Sequence, residues 1–532
     1  MRHWLTFGAI VVTIITLVRI ASTYSVFSET NDEPMHVSCG LQIYEQHQYD
    51  YQTANPPLPR LFIAAGPRML GARLAPDMPF PGFQKTFYSA GNYPRTLIAA
   101  RAGTLVFVLI ALAAAWGWAR REAGPLAAFL TVLLLAGEPL FLGHGGLATH
   151  DAAAAAGMAV SLFAFSRWLE RPGRRAGDSS PSMRLGMTRA ANAGLLGAAY
   201  GFAMLCKFSC VVFVPAAWAA ILLVRALRRR APRPREIGAM LVIVCLASAA
   251  VVWAGYGFSF GTLMPMGFVT EVISYPPLLS WHLPAPRFID GLAMIRHFDR
   301  EGMTSYLYGH LRTRGWWYYF PVAVALKTTL PLLALAILGL VVARRSPAAE
   351  TLAAAAAILV VTFPSTLDIG VRYVLPLYVP LAFAGAVTAT VMLERSRAWR
   401  AAAAVLIVAH VAVSALAHPD YVAYFNALAG HNPSRWLIDS NLEWGQDAKR
   451  LAEVARELRV DYLHNAVMSI ADFDVLGFPP RNNVSPGDQT HGWLAVGEHF
   501  YRITKAELGG RLWLDGRPYR RVGKSIRLYH IP

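Results

Sequence analysis

Charge is scarce in this chain, and acids are scarcer than bases: 15% of its 532 residues are charged, with 32 Asp and Glu against 49 Lys and Arg. With 55% hydrophobic residues and a mean hydropathy of +0.38, that excludes an ordinary soluble protein. Cysteine is scarce too. The four that occur, Cys39, Cys206, Cys210 and Cys245, show no paired or metal-ligand spacing, so neither a disulfide framework nor a cysteine metal site is expected. The net charge of +17 would suit a nucleic acid, but no base-reading module is visible and the arginines gather in connectors between apolar runs. The two halves do not echo each other with matching Gly/Pro-broken segments, as a transporter of inverted repeats requires. The first apolar run lacks a small-residue cleavage pattern before Thr30 and reads as a retained first span.

What the chain does have is long apolar runs, at about 4–27, 96–118, 124–142, 152–169, 190–206, 208–224, 237–257, 320–343, 348–364, 372–393 and 401–417. The expectation is a polytopic α-helical membrane protein with about eleven transmembrane helices. Placing the amino terminus inside puts Arg120-Arg121, Arg167 to Arg189, Arg225 to Arg235, Arg344-Arg345 and Arg395 to Arg400 on one side, cytoplasmic by the positive-inside rule. The long loops 28–95 and 258–319 and everything after Ala417 then lie outside. Two domains follow: a membrane domain, 1–417, and an extracytoplasmic α/β domain, 418–532, with a helix near Gln446 to Leu458 and strands near Asp461 to Leu463, Gly492 to Val496 and Ile526 to Ile531.

The elaborated outer side is where chemistry is expected. Asp32 and Glu33, with Pro34 and His36, stand at the mouth of the first span, and carboxylates beside hydrocarbon are costly unless they serve ion, proton or substrate chemistry. Ending a helix in water is the plainer reading of that pair. Asn55-Pro56-Pro57-Leu58 follows, with Pro56-Pro57 extended and Leu61 to Leu74 able to lie as a helix on the membrane surface. Asp151, after His144-Gly145 and His150, opens the next helix, where capping would suffice to explain it. Cations also collect on this side against the general bias: Lys207, Arg312, Arg314, Lys327 and Arg372. Single snorkelling side chains would explain one or two, whereas several together with carboxylates suit an anionic lipid phosphate. In the tail, Asp439, Glu443 and Asp447 recur every four residues, which on a helix is one face, read here as solvated in preference to an acceptor-binding surface.

Taken in order, several pieces resemble a family pattern. They are Asp32-Glu33-Pro34 with His36 and Gly40; Pro56-Pro57-Leu58; His144-Gly145 with Thr149 and Asp151; Gly194 to Lys207-Phe208-Ser209; Gly315-Trp316-Trp317-Tyr318-Tyr319-Phe320 with Lys327; and Arg372-Tyr373 with Pro376. Tyr424-Phe425-Asn426 with Gly430 and Asp439-Ser440-Asn441 with Trp444-Gly445-Gln446-Asp447 complete the set. Across nearly the whole chain the sequence resembles bacterial family 39 type glycosyltransferases of the membrane-embedded GT-C class, relatives of protein O-mannosyltransferases and, more distantly, of the aminoarabinose transferase acting on lipid A. One position departs: Asn55 stands where relatives often carry His.

The resemblance implies a GT-C-like enzyme of the bacterial cytoplasmic (inner) membrane that moves a mannose-like hexose from a polyprenyl-phosphate donor to an outer-face hydroxyl on a protein, lipid or glycan. It implies Asp32 as the base and acceptor binder with Glu33 beside it as support, and an inverting displacement. Lys207, Lys327 and Arg372, with Arg60 and Arg314 as weaker candidates, would hold the donor phosphate. Asp151, His150 and His36 would support the acids or the sugar. A divalent metal bridging Asp32 and Asp151 suits carboxylate chemistry, but the nearer relatives imply none, so no cofactor is expected. A flippase moving the same lipid-linked sugar without bond cleavage, or a scaffold whose tail docks a partner, would share the outer charges. Nucleic acid is not an expected partner.

Overall fold

The computed structural model describes residues 2–79, 81–170, 181–264, 277–344 and 346–532. Residues 171–180 of the Arg167 to Arg189 connector, Arg345, and 265–276 of the second long loop lie outside the described residues. Each of the eleven apolar runs is mostly helical where described. The first helices are α1 (Arg2–Ala21), α2 (Glu33–Gln46), α3 (Pro57–Met69), α4 (Gly82–Tyr88), α5 (Tyr93–Ala102) and α6 (Leu105–Ala136). There follow α7 (Pro139–Gly145), α8 (Asp151–Leu169), α9 (Pro181–Cys206), α10 (Cys210–Leu227) and α11 (Pro234–Gly255).

Among the described residues seven helices are long and apolar enough to cross a membrane, or eight if one sharply bent pair is a single span. The stretch Tyr93–Ala136 holds two of the expected runs, divided where Gly124 takes φ +86° ahead of Pro125. Glycine tolerates that backbone, and proline cannot continue the helix hydrogen bonds. The eighth run is not straight: Tyr319–Lys327 and Leu330–Val342 meet at 116°. The tenth begins as a 3-10 turn, Val371–Leu377, before the helix Tyr378–Leu393.

The basic connectors gather at one end of this bundle. Arg225 bonds Glu350 at 2.7 Å and approaches Glu122 at 3.5 Å, Arg121 pairs with Glu170, Arg228 reaches the Ser346 carbonyl at 3.4 Å, and Arg395 that of Val342 at 3.2 Å. At the opposite end α2 to α5 pack together around Val37, Leu41, Ile63, Ala64, Phe87 and Leu97.

Helix α3 does not lie free on a surface, because Pro57, Pro59, Arg60, Ile63 and Ala64 face α2 and α5 while Phe62 and Met69 stay exposed. Its contact with α2 is close at Gly40, where an added Cβ would stand 2.3 Å from the Arg60 carbonyl oxygen. Gly40→Ala should lower stability by about 1–3 kcal/mol, read as an earlier thermal unfolding midpoint in detergent; an unchanged midpoint would show that the two helices separate freely.

After the last apolar helix, Arg397–Leu416, residues 418–447 hold only three short 3-10 turns and pack into the bundle. Asn426 donates its amide to the carbonyls of Ala325 and Thr328 at 2.6 and 2.7 Å, which are left free by the bend. A five-stranded sheet follows, in the order Arg481–Asn483, Leu463–Ala466, Gly492–Gly497, Ile526–Ile531, Arg520–Val522. The first two pairings are parallel and the last two antiparallel. Alternation sends Ala495, Ile526 and Leu528 to one face with Leu451 and Ala455 of helix Ala448–Glu457, and Leu494, Val496 and Tyr529 to the other with Tyr501 of helix Glu498–Glu507.

The acids spaced by four do not share a helix face. Asp439 takes φ +57° and Gly445 φ +91°, so the stretch is irregular; Glu443 and Asp447 are buried. Glu443 accepts from the His499 backbone N–H at 2.7 Å, at the start of helix Glu498–Glu507, and Asp447 accepts from Lys524 N, Ser525 N and Ser525 Oγ. They clamp the sheet domain to the bundle and form no solvated surface.

Candidate active site

Between α2, α8, α10, the helix Pro286–Glu301 and the 3-10 turn at Val371–Leu377 lies a cavity of about 610 Å³. Its polar lining includes Asp32, His36, Gln52, Asn55, His150, Asp151, Lys207, Arg296, Asp299 and Arg372, and its apolar lining includes Val212, Phe213, Ile295, Phe298 and Val361.

Asp32 is the residue preceding α2, yet its side chain makes no capping bond. It lies 3.2 Å from Arg372 Nη1 and keeps 31% of its side chain accessible. Burial pushes its carboxyl above the usual range, while Arg372 pulls the other way. Glu33, one residue on, turns in the opposite direction. Its two oxygens receive Nε and Nη2 of Arg101, both at 2.8 Å, and also the backbone N–H groups of Ala148 (2.8 Å) and Thr30 (2.7 Å). The paired acids of the sequence are thus unlike: Asp32 faces the cavity, and Glu33 is a fully buried strut outside it.

Asp151 is the first residue of α8 and the acid of its first turn, following His150 at the cap position, whose side chain makes no capping bond. Its oxygens meet Lys207 Nζ, Thr149 Oγ1 at 3.1 Å, His144 Nδ1 at 3.5 Å and Arg372 Nη1 at 3.8 Å. Lys207 stands in the tight turn between α9 and α10, 4.9 Å from the centre of the Tyr373 ring. Arg372 is the hub: besides both aspartates it donates Nε to Ser440 Oγ at 3.2 Å and lies 3.9 Å from the centroid of Trp444. The Arg372 guanidinium thus lies within reach of both carboxylates. Among the described residues no group of three or more His, Cys, Asp or Glu side chains is placed to hold a metal ion.

His36 and His150 line the same cavity, ring centres 4.5 Å apart. Three other expected residues are elsewhere. Lys327 does not reach the cavity: it ends the helix before the 116° bend, fully buried, and donates to the backbone carbonyls of Val422 (2.7 Å) and Asn441, with Phe425 beneath it. Arg60 is buried behind Gln52, and Arg314 is exposed and lines no part of the cavity. Trp444 and Arg101 carried no expected role. Arg101 had left a signal, since an arginine inside the apolar run 96–118 requires a buried partner.

Residues 94–253 match the family model described as dolichyl-phosphate-mannose-protein mannosyltransferase, which bears out over that segment the resemblance read from the sequence. No curated protein matches the chain. Among solved structures it is similar to the ArnT protein of Cupriavidus metallidurans bound to undecaprenyl phosphate, at 14% identity and a TM-score of 0.47, covering 98% of this chain and 97% of that one. It is also similar to the apo oligosaccharyltransferase of Archaeoglobus fulgidus, at 14% identity and a TM-score of 0.48, covering 86% of this chain and 58% of that one.

Proposed function

We propose that this protein is an inverting GT-C-like glycosyltransferase that moves a sugar, a mannose-like hexose, from a polyprenyl-phosphate carrier to an acceptor hydroxyl. The observation that carries the reading is one cavity whose lining brings the Asp32 carboxylate together with Lys207, Arg372 and a run of apolar side chains. The donor in the matched family's description, dolichyl-phosphate-mannose, is of this chemical class. By the positive-inside rule the basic end faces the cytoplasm, so the cavity opens towards the outer face of a bacterial inner membrane.

In this mechanism Asp32 takes the proton of the acceptor hydroxyl, whose oxygen attacks the anomeric carbon. The bond from that carbon to the carrier phosphate breaks, and polyprenyl phosphate leaves with its charge met by Lys207 and Arg372. A single base opposite the leaving group inverts the anomeric centre. The apolar lining takes the carrier chain and excludes competing water. Asp151 orients the two cations, and Glu33, Lys327 and Arg314 take no part.

The test is to incubate purified protein with labelled polyprenyl-phosphate hexose and an acceptor mixture, and to measure free polyprenyl phosphate. Movement of the lipid across a bilayer without release would sink the transfer reading in favour of a flippase. Lys207→Ala should raise the donor KM about 10–100-fold, as expected for loss of a charge-assisted contact of about 1.5–3 kcal/mol, with little change for the acceptor. Equal effects on both substrates would remove Lys207 from the phosphate site.

A further inference from the structure

The polar lining contains groups that the transfer step does not use. His150 Nε2 lies 3.0 Å from the Pro56 carbonyl, which can only accept, so that nitrogen carries the hydrogen and Nδ1 presents a bare lone pair. Nδ1 of His150 is buried and unpartnered, as is Nδ1 of His36, and both residues line the cavity. Gln52 also lines the cavity, and its Oε1 accepts from Arg60 Nη2 at 2.6 Å and from Asn55 Nδ2 at 3.1 Å. Arginine only donates, so the Gln52 amide has one orientation: its nitrogen is left to donate, and Asn55 Oδ1 is left to accept. Gln52 is held there at φ +49°.

We infer that His36, Gln52, Asn55 and His150 form a subsite for the hydroxyl groups of an uncharged sugar, one that disfavours a sugar bearing an ammonium group. The inference rests on the donor reading above, since the sugar arrives on the carrier phosphate. A hydroxyl both donates and accepts, and so satisfies a set of neutral donors and acceptors at little desolvation cost. An ammonium group only donates, and here it meets an adverse field. Among the described residues Arg60 pairs with no carboxylate, and the three acids lining the cavity are already engaged: Asp32 by Arg372, Asp151 by Lys207, and Asp299 by Ser365 Oγ and Thr366 N at 3.0 Å with Arg296 3.7 Å away. Burial, with Arg60 and Lys207 nearby, pushes His150 down to about 3, and burial beside His150 holds His36 well below its ordinary value.

The experiment is competition binding to the full-length protein with three probes: decaprenyl-phosphate hexose, the same carrier bearing a 2-amino-2-deoxyhexose, and bare decaprenyl phosphate. The hexose carrier should bind at least about tenfold more tightly than the aminosugar carrier, the size of one or two hydrogen bonds. Asn55→Ala, at a half-buried position, and Gln52→Ala should shrink that gap to about threefold or less while bare decaprenyl phosphate binds as before. Gln52→Glu, which sets an acid against Arg60, should narrow it by improving the aminosugar carrier. Equal or tighter binding of the aminosugar carrier, or a gap unchanged in all three variants, overturns the subsite. Release of decaprenyl phosphate is scored separately. Hexose carrier that binds selectively without being cleaved would sink the transferase reading and leave the subsite standing.

Discussion

Asp32→Asn is expected to lower transfer by about 10²–10⁴-fold, the usual contribution of a positioned general base, with expression and thermal unfolding close to those of the unaltered protein. The reason is local. Asp32 caps nothing, touches Arg372 at 3.2 Å and remains partly open to the cavity, so an isosteric amide removes the proton acceptor with little packing change. Burial raises its carboxyl, so the acid limb of the pH–rate profile should lie above the ordinary aspartate range, with activity rising as the carboxyl ionises, and it should vanish in the variant. Near-normal turnover by Asp32→Asn would take this residue out of the base's role.

Glu33→Gln should fail in the opposite way. Arg101 would be left buried with its charge uncompensated, and removing one partner of such a pair costs about 3–5 kcal/mol. The same carboxylate also receives the Ala148 and Thr30 amides, so α2, α5 and the turn before α8 lose a shared anchor. The expected result is a protein that unfolds early or fails to accumulate, while the fraction that does fold retains donor binding. A stable Glu33→Gln protein with transfer reduced as far as in Asp32→Asn would put both acids in the chemistry.

The contrast between these neighbours marks how far a sequence can be read here. Hydropathy and the placing of arginines were enough for eleven helical runs and two distinct ends, because burial in lipid constrains composition strongly and locally. Asp32, His36, His150, Asp151, Lys207 and Arg372, which line one cavity, were legible as polar residues at the ends of apolar runs. Which way each side chain turns was not. Asp32 and Glu33 are equivalent as letters; the difference is that Arg101, 68 positions after Glu33, reaches one of them. Lys207 and Lys327 both sit at interrupted apolar runs, and only the path of residues 418–447 decides that Lys327 meets backbone carbonyls. The acids 439, 443 and 447 fit a helix by count, but Gly445 within that stretch was a warning that the backbone would leave the helix.

Residues 418–447 have a practical consequence for anyone building hybrids of such proteins. A junction placed where the last apolar helix stops would strip Lys327 of both its acceptors, leave the bent span's carbonyls bare and pull Trp444 from beneath Arg372. A foreign tail must therefore be joined downstream of this segment, and must itself offer an amide to Glu443 and a hydroxyl turn to Asp447.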